Sequence, residues 1–165
     1  MNAGGEIHTG AGMAAGRIRD GGHEMAVRVY YEDTDAAQMV YHAGYLRFAE
    51  RARTELLRVQ GISQAHLREA HGLGFAVRRC EIDYRAPARL DDLLLVRTRV
   101  QAHTRVQATL AQAIVHAGDG RAIADLVVNV VCLDTRGRPA RMPGPVVAAL
   151  GARDPTGEVG HTHGR

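Results

Sequence analysis

The chain has 165 residues, of which 45% are hydrophobic and 4% are aromatic, and its net charge is +3 at pH 7. This size and apolar content predict one domain with a buried core. The mixed charges indicate no polyanionic partner, and the few aromatic side chains argue against a nucleic-acid ligand. The sequence shows neither a membrane span of roughly 20 apolar residues nor the apolar segment of a secretory signal. We therefore expect a cytoplasmic protein.

Residues 1–24 are rich in glycine and alanine and show no hydrophobic period. We predict that they form a disordered extension, that the folded domain covers residues 25–150, and that residues 151–165 form a flexible tail. The domain is expected to open with a strand over residues 26–31, where apolar and polar side chains alternate.

The next stretch, residues 29–61, predicts the end of that strand, an acidic turn and one long helix. Asp33 and Asp35 lie in the turn, and Tyr41 and His42 lie where the helix is expected to begin. This is the stretch around which we expect the rest of the fold to be arranged.

Helical spacing within this stretch predicts one apolar stripe. The stripe consists of Tyr45, Phe48, Ala49, Ala52, Leu56 and Val59. On the opposite side Arg51 and Glu55 are spaced for an ion pair of modest strength. A second, short helix is predicted after Ser63, its N-cap residue, and Gly72 or Gly74 ends the connection.

From residue 75 onward the apolar period changes from 3.6 to 2, which predicts four strands. We place them at residues 75–84, 93–101, 105–116 and 122–133. In the first of these, the alternation slips between Val77 and Cys80, as a β-bulge would cause. The sequence AGDG at 117–120 predicts a hairpin, and a last helical turn is expected at 146–150.

One strand, a long helix and four antiparallel strands predict an α+β domain in which one sheet curls around one helix. Such a sheet leaves part of the domain uncovered, and pairing with a second copy of the chain would cover it. Since most soluble oligomers are symmetric, we expect a homodimer or a homotetramer.

The acidic turn and the helix start together suggest chemistry. A carboxylate just before a helix lies near the positive end of the helix dipole, and the first N–H groups of the helix have no internal partner. Asp35 is therefore a candidate nucleophile or general base beside an oxyanion site. His42, seven residues later, is placed to hydrogen-bond this carboxylate or an attacking water. The arrangement favours acyl transfer to water, especially from thioesters, because a thiolate leaves without a strong acid.

Other interpretations of these residues remain open. The aspartates can serve only as helix caps. Asp33, Asp35 and His42 are also residue types that bind metals, although no further ligand has a convincing spacing, and we predict no metal and no cofactor. The hypothesis of a Cys–His nucleophile pair is weakened because Cys80 and Cys132 lie in apolar segments and are predicted to be reduced core residues.

Three segments resemble a known family: VRVYYEDTDAAQMVYHAGYLRFAERARTELLR, FAVRRCEIDYRAPARLDD and VVNVVCLD. They resemble the Tol-Pal-associated acyl-CoA thioesterases of the 4-hydroxybenzoyl-CoA thioesterase group, and the resemblance covers about residues 27–150. It implies the hotdog fold, in which a curved antiparallel sheet wraps one long central helix. This fold agrees with the order of elements predicted from the residues themselves.

For the active site, the resemblance implies that Asp35 is the catalytic carboxylate. It implies that His42 is a second catalytic residue, whose backbone N–H donates to the thioester carbonyl at the helix start. Tyr41 is expected to line the acyl pocket, and Asp33 to shape the turn.

For the substrate, the resemblance implies a site at a dimer interface. The 75–79 strand of the other subunit, including Val77 and Arg78, is then expected to face the substrate. We expect CoA phosphates to contact basic groups at the rim, with Arg105 as the best candidate. A solvated surface charge is an equally good explanation of Arg105.

One departure from the family concerns the turn. The family usually has two glycines where this chain has Ala37 and Gln38. If either position requires a positive φ, its side chain introduces strain. The added bulk affects the expected substrate range more than the expected reaction.

The function we predict is hydrolysis of an acyl-CoA to a free acid and CoA, with acyl carrier protein as a further candidate partner. A non-catalytic module that binds acyl-CoA or acyl carrier protein is the alternative, against which the Asp35 and His42 pair argues. A third candidate is a dehydratase of 3-hydroxyacyl thioesters, but the sequence DTDAAQMVYH does not resemble the catalytic pattern of such enzymes.

Overall fold

The computed structural model describes residues 15–151. In chain order its strands are β1 (Arg17–Arg19), β2 (Gly22–Arg28), β3 (Gly74–Tyr84), β4 (Leu93–His103), β5 (Gln107–His116) and β6 (Ala122–Leu133), and its helices are α1 (Gly44–Arg58), α2 (Gln64–His71) and α3 (Gly144–Leu150). The strands form one antiparallel sheet in the order β1-β2-β4-β5-β6-β3. This confirms the α+β prediction of one sheet around one central helix.

The apolar stripe of α1 packs closely against β2 and β4, and side chains of β5 and β6 complete the main core. Phe48, Ala49 and Ala52 are fully buried, as the helical spacing predicts. The prediction that Val59 belongs to this buried stripe is wrong. It follows the last helical residue and is exposed, while Leu57 is buried against a second cluster near α3.

A buried polar contact holds α1 to the sheet. The Gln112 amide on β5 donates to the Ala49 carbonyl and to the Thr98 hydroxyl, both at 2.9 Å. Its oxygen accepts from the Arg53 guanidinium at 2.8 Å. The helix is therefore fixed in register by directional bonds as well as by apolar packing.

The ion pair predicted between Arg51 and Glu55 is wrong. Glu55 instead pairs with Arg58, one turn further along α1. The Arg51 guanidinium lies 6.0 Å from the centre of the Phe48 ring. Since i,i+3 and i,i+4 partners are both within reach on a helix surface, spacing alone did not decide between them.

The strand predictions after residue 75 are largely confirmed. The pairing of β3 with β6 shifts register between Val77 and Arg79, which is the predicted bulge. The last strand, β6, has the predicted limits, and α2 begins after Ser63, whose hydroxyl accepts from the His66 N–H at 3.3 Å. Gly72 ends α2 in the left-handed conformation.

The predicted domain boundary at residue 25 is wrong. Residues 17–24 form β1 and the start of β2, and the His23 side chain is buried, with its Nε2 2.8 Å from the Ala15 carbonyl. Glycine-rich composition suggested a disordered extension here, but Gly21 lies at the tight β1–β2 turn with a φ of 73°. Residues 1–14 and nearly all of the predicted tail, 152–165, lie outside the described residues.

The two cysteines lie in different environments. Cys132 is buried as predicted, whereas Cys80 is exposed on β3, so its assignment to the core is wrong. The reason is that β3 is at the edge of the sheet and is covered on neither face at this point. Partial desolvation raises the pKa of the Cys80 thiol, which does not favour a thiolate nucleophile.

No helix among residues 15–151 is long and apolar enough to cross a membrane.

The N-terminal hairpin makes the stability of the fold depend on pH. Glu24 on β2 accepts from Arg97 at 3.0 Å and from Arg17 at 3.2 Å, and the Arg97 hydrogen bond is the largest cause of the lowered pKa of this carboxyl. A folded-state pKa below the unfolded value stabilises the fold above the unfolded pKa, and this stabilisation is lost as the pH falls through the folded pKa.

We therefore expect Glu24→Gln to lower the melting temperature at pH 7 and to have a much smaller effect at a pH below the carboxyl range. Thermal unfolding of both proteins across this range measures the difference. Asp20→Asn is the control, because the Asp20–Arg19 pair is largely exposed and contributes little. Equal losses for Glu24→Gln at both pH values would contradict the linkage.

Candidate active site

Asp35 begins a tight turn between two extended residues. Thr34 and Val40 form an isolated bridge, the Asp35 N–H donates to the Met39 carbonyl at 3.0 Å, and the Gln38 N–H donates to the Asp35 carbonyl at 2.9 Å. The Asp35 Oδ1 accepts from the Ala37 N–H at 2.8 Å. Asp35 is exposed, and its Oδ2 has no donor within hydrogen-bonding distance among the described residues. One oxygen thus positions the carboxylate and the other remains available for chemistry.

Asp33 has a different role from Asp35. It is buried, and its Oδ2 accepts from the Tyr30 N–H at 2.8 Å. Its carbonyl accepts from the Tyr41 N–H at 3.0 Å. Asp33 therefore braces the turn from inside, as the resemblance implied.

The helix begins two residues later than predicted. Tyr41 to Ala43 form a turn in which the Gly44 N–H donates to the Tyr41 carbonyl at 2.7 Å, and Ala43 is the N-cap residue. The cause is the bond of Tyr41 to Asp33, which keeps the chain extended up to that point. Because the cap is Ala43, the interpretation of the aspartates as caps of α1 is excluded.

His42 precedes α1 with its backbone donor free. Within residues 15–151 no acceptor lies within hydrogen-bonding distance of the His42 N–H. Its carbonyl accepts from the Tyr84 hydroxyl at 3.0 Å, and its ring packs against Tyr41 with centroids 4.2 Å apart. An unpaired N–H at the positive end of a helix is suited to bind a carbonyl oxygen that gains negative charge.

Two tyrosines hold this helix start in place: Tyr45, which the sequence placed only in the apolar stripe, and Tyr84, which the sequence did not single out. The Tyr84 hydroxyl at the end of β3 binds His42, as described above, and its ring contacts Tyr45 with centroids 5.7 Å apart. The buried Tyr45 hydroxyl accepts from the Ala88 N–H at 3.1 Å. Neither tyrosine lies in a motif that distinguishes it from a core or surface residue, so only the folded chain reveals the role.

The structure places Asp35 and His42 in neighbouring recesses of one chain. Asp35 lies in a recess of about 560 Å³ that also contains Gln38 and Arg89, and His42 lies in one of about 330 Å³ beside Tyr84. Met39 and Arg89 pair across the boundary between the two recesses. Within the described residues no hydrogen bond joins Asp35 to His42, so the structure does not show the first of the two contacts expected of His42, and its contact with an attacking water stays a prediction.

Of the four predicted substrate-binding residues, Tyr41 lies beside His42, and the other three lie elsewhere on the chain. Val77 is 51% exposed on the edge strand β3, and Arg78 contacts the Gln107 amide oxygen at 3.5 Å. Arg105 is exposed in the β4–β5 turn, and its carbonyl accepts from the Met142 N–H at 2.8 Å. Arg78 thus contacts the start of the strand that follows the Arg105 turn, and neither arginine lines the recess of Asp35 or of His42.

In the part of the chain that the structure describes, no group of three or more histidine, cysteine or acidic side chains is arranged to hold a metal ion. Asp33 points inward to the Tyr30 amide, whereas Asp35 and His42 occupy separate recesses. The interpretation of these three residues as metal ligands is therefore not supported by their geometry.

Comparison with known proteins identifies the family. A family model described as the thioesterase-like superfamily matches residues 29–150. The acyl-CoA thioester hydrolase YbgC of Escherichia coli O6:H1 is 44% identical over 123 residues, which cover 74% of this chain and 90% of that relative. The acyl-CoA thioesterase YbgC of Haemophilus influenzae is 42% identical over 132 residues, covering 79% and 96%. The chain belongs to the thioesterase-like superfamily.

A solved structure supports the same conclusion. The crystal structure of a probable thioesterase from Bartonella henselae matches with a TM-score of 0.70 and 35% identity, covering 74% of this chain and 99% of that one. The hotdog fold and the prediction of a thioester hydrolase are thereby confirmed.

Gln38 carries the backbone strain anticipated for the departure from two glycines. Its φ is 58°, in the left-handed region, whereas Ala37 is not among the residues of positive φ. A side chain in this conformation costs roughly 1–2 kcal/mol relative to the right-handed region, and glycine avoids this cost.

We expect Gln38→Gly to raise the free energy of unfolding by about 1 kcal/mol, because glycine adopts a positive φ without strain. Chemical denaturation measures the change. Ala37→Gly is the matched control and is expected to lower stability, since it only adds freedom to the unfolded chain. Stabilisation by both substitutions would show that strain at residue 38 is not the cause.

Proposed function

We propose that this chain hydrolyses acyl-CoA thioesters, with Asp35 as the catalytic carboxylate and the His42 N–H as the donor to the thioester carbonyl. The observation that carries the proposal is the pair of unused groups at the start of α1, namely the free Oδ2 of Asp35 and the free N–H of His42. The relatives named acyl-CoA thioester hydrolases support the choice of substrate class.

The reaction follows from these two groups. The carbonyl oxygen accepts from the His42 N–H, which stabilises the negative charge that develops there. Asp35 either attacks the carbonyl carbon or removes a proton from a water that attacks it. The C–S bond then breaks and the electron pair leaves on the CoA sulfur. In the first case the mixed anhydride is hydrolysed in a second step, and in both cases the products are a carboxylic acid and CoA.

The two roles of Asp35 use the same residues and differ in the fate of water oxygen. Turnover in heavy-oxygen water labels the Asp35 carboxylate if water attacks the aspartyl carbon of an anhydride. Direct attack of water on the thioester places the label only in the product acid. Label in the Asp35 peptide after turnover therefore identifies Asp35 as the nucleophile, whereas an unlabelled peptide fits both direct attack of water on the thioester and attack on the acyl carbon of an anhydride.

We further propose that the working site needs a second copy of the chain. Strand β3 is 11 residues long and lies at the open edge of the sheet, with Val77 to Glu81 exposed. An edge strand of this length presents unpaired N–H and C=O groups that another strand can pair. Pairing of two copies would bring Val77 and Arg78 of each towards the recesses of the other, with Tyr41 beside the acyl group.

In this proposal the CoA phosphates contact the arginines near the β4–β5 turn. Arg105 is exposed there, and Arg78 is adjacent through Gln107. Guanidinium groups bind phosphates by charge-assisted and often bidentate hydrogen bonds. A homotetramer, a carrier-protein substrate and a cytoplasmic location remain further parts of the proposal.

Asp35→Asn is expected to lower kcat/KM for acyl-CoA at least about 100-fold, because the amide cannot act as nucleophile or base. Release of free CoA thiol over a series of acyl chains measures it. Glu32→Gln is the control, since Glu32 is an exposed carboxylate three residues before Asp35 and its substitution is expected to leave turnover unchanged. Near wild-type activity of Asp35→Asn with an intact fold would refute the assignment. Saturable binding without thiol release by the wild type would favour a non-catalytic module.

Mixing of two inactive variants tests the shared site. Asp35→Asn removes the carboxylate, and Val77→Glu places a charge at the proposed partner surface. In a one-to-one mixture half of the dimers are hybrids, and one of the two sites in each hybrid is intact, so roughly a quarter of wild-type activity should return.

Sedimentation must first show that each variant still assembles. Val127→Glu, an exposed valine on the neighbouring strand β6, is the control and should retain activity by itself. Absence of recovery in a mixture that forms hybrid dimers would mean that Asp35 and Val77 do not serve the same site.

A further inference from the structure

A third concavity lies under α3, apart from the recesses of Asp35 and His42. Its cavity volume is about 110 Å³, which is enough for part of a small molecule and too little for a whole one. One wall is the side of α1 that faces away from β2, and the opposite wall is the start of β3 with Phe75, Ala76 and Val77. Leu110 on β5 forms part of its base, and Leu150 on α3 forms part of its cover. We call this concavity the α3 cleft.

The polar side chains of the α3 cleft bind mainly to other protein groups. The Thr54 hydroxyl donates to Glu50 at 2.9 Å and accepts from the Gln64 amide at 3.0 Å. Arg53 donates to Gln112 on β5 at 2.8 Å. These bonds occupy polar atoms on the α1 wall, while leucine, valine, alanine and phenylalanine side chains form the rest of the lining. Such a surface favours an apolar ligand without polar substituents.

Helix α3 is anchored over the cleft at both ends. The Met142 N–H before the helix donates to the Arg105 carbonyl at 2.8 Å, and the Gln60 amide after α1 donates to the Ala149 carbonyl at 3.0 Å. The His103 ring contacts the Gly151 carbonyl at 3.0 Å. Val146 is buried beneath the helix, whereas Leu150 is only partly buried and lines the cleft. Leu150 is therefore held at a defined position and still borders empty space.

We propose that the α3 cleft receives the tail of a linear aliphatic acyl group and that Leu150 and Ala76 set the length of tail that it accepts. The inference rests on the proposed function, because Phe75 to Val77 lie on the edge strand that we propose faces the Asp35 of a second copy. A chain that reacts at that Asp35 would pass the edge strand and continue into the cleft of its partner.

The two residues should act in opposite directions. Leu150→Ala removes three carbon atoms from the cover and lengthens the cleft, whereas Ala76→Leu adds three at the β3 wall and shortens it. Each methylene group that becomes buried should raise kcat/KM about fourfold, until the cleft is full. The chain length at which this rise stops is the quantity that the two substitutions are expected to move.

The experiment measures kcat/KM of the full-length protein for straight-chain acyl-CoAs of increasing length. Relative to the wild type, the rise should stop roughly two methylene groups later in Leu150→Ala and roughly two earlier in Ala76→Leu. Val127→Ala is the control and should leave the profile unchanged, because Val127 is exposed outside the cleft. Melting temperature and sedimentation confirm that each variant is folded and assembled.

A second measurement separates failure of this inference from failure of the proposed function. Calorimetric binding of S-alkyl-CoA thioethers, which cannot be hydrolysed, should show the same dependence on chain length in all four proteins. If no acyl-CoA is hydrolysed but the thioethers show these shifts, the proposed function fails and the cleft assignment stands.

Three results would overturn the inference. The first is that kcat/KM stops rising at the same acyl chain length in Leu150→Ala and in Ala76→Leu as in the wild type. The second is a preference for hydroxylated aromatic acyl groups over all aliphatic ones. The third is a preference for acyl chains that end in a carboxylate, which would indicate that Arg53 binds the ligand instead of only Gln112.

Discussion

The structure depends on how much of the sheet a single helix can cover. An α-helix is about 10 Å wide, and neighbouring strands lie about 4.8 Å apart, so one helix covers roughly two strands. Here α1 packs on β2 and β4, and the Gln112 amide fixes it there through bonds to the Ala49 carbonyl and the Thr98 hydroxyl. Ile114 on β5 and Leu126 and Val128 on β6 also pack in this core, whereas β3 at the edge of the sheet is exposed from Val77 to Glu81.

The position of α1 explains the arrangement of the three concavities. The start of α1 is held by Tyr45 and Tyr84, and the Asp35 turn lies near Arg89 and Leu90. Further along α1, the space between Arg53 to Leu57 and the start of β3 is only partly closed by α3 and remains as the α3 cleft. The catalytic groups and the apolar volume thus lie at different positions along the same helix. A second copy joined at β3 would bring one close to the other, which is why the proposed site is shared.

Several features were predictable because they depend on neighbours in the sequence. The period of 3.6 located α1 and its buried Phe48, and the period of 2 located β6 to its terminal residues. The slip of alternation near Val77 predicted the bulge. The role of Asp33 in bracing the turn also came from the local pattern and the family resemblance.

The failures share a different cause, which is contact between distant parts of the chain. Residues 17–24 were assigned to an extension because their composition is glycine-rich, yet Glu24 is held by Arg97, far away in sequence. Cys80 was assigned to the core because it lies on an apolar strand, yet that strand is at the sheet edge. Glu55 pairs with Arg58 and not with Arg51, and helical spacing alone allowed both pairs.

By itself, the sequence determined the fold class, the long helix, the strand limits after residue 75 and the acidic turn, since these follow from periodicity and turn chemistry. Only the tertiary structure decided the order of strands, the separation of Asp35 from His42 and the open edge at β3. It also placed the apolar cleft under α3 and the strain at Gln38. These features depend on which strands the helix covers, and that choice is made by packing and by bonds such as those of Gln112, whose partners are remote in the chain.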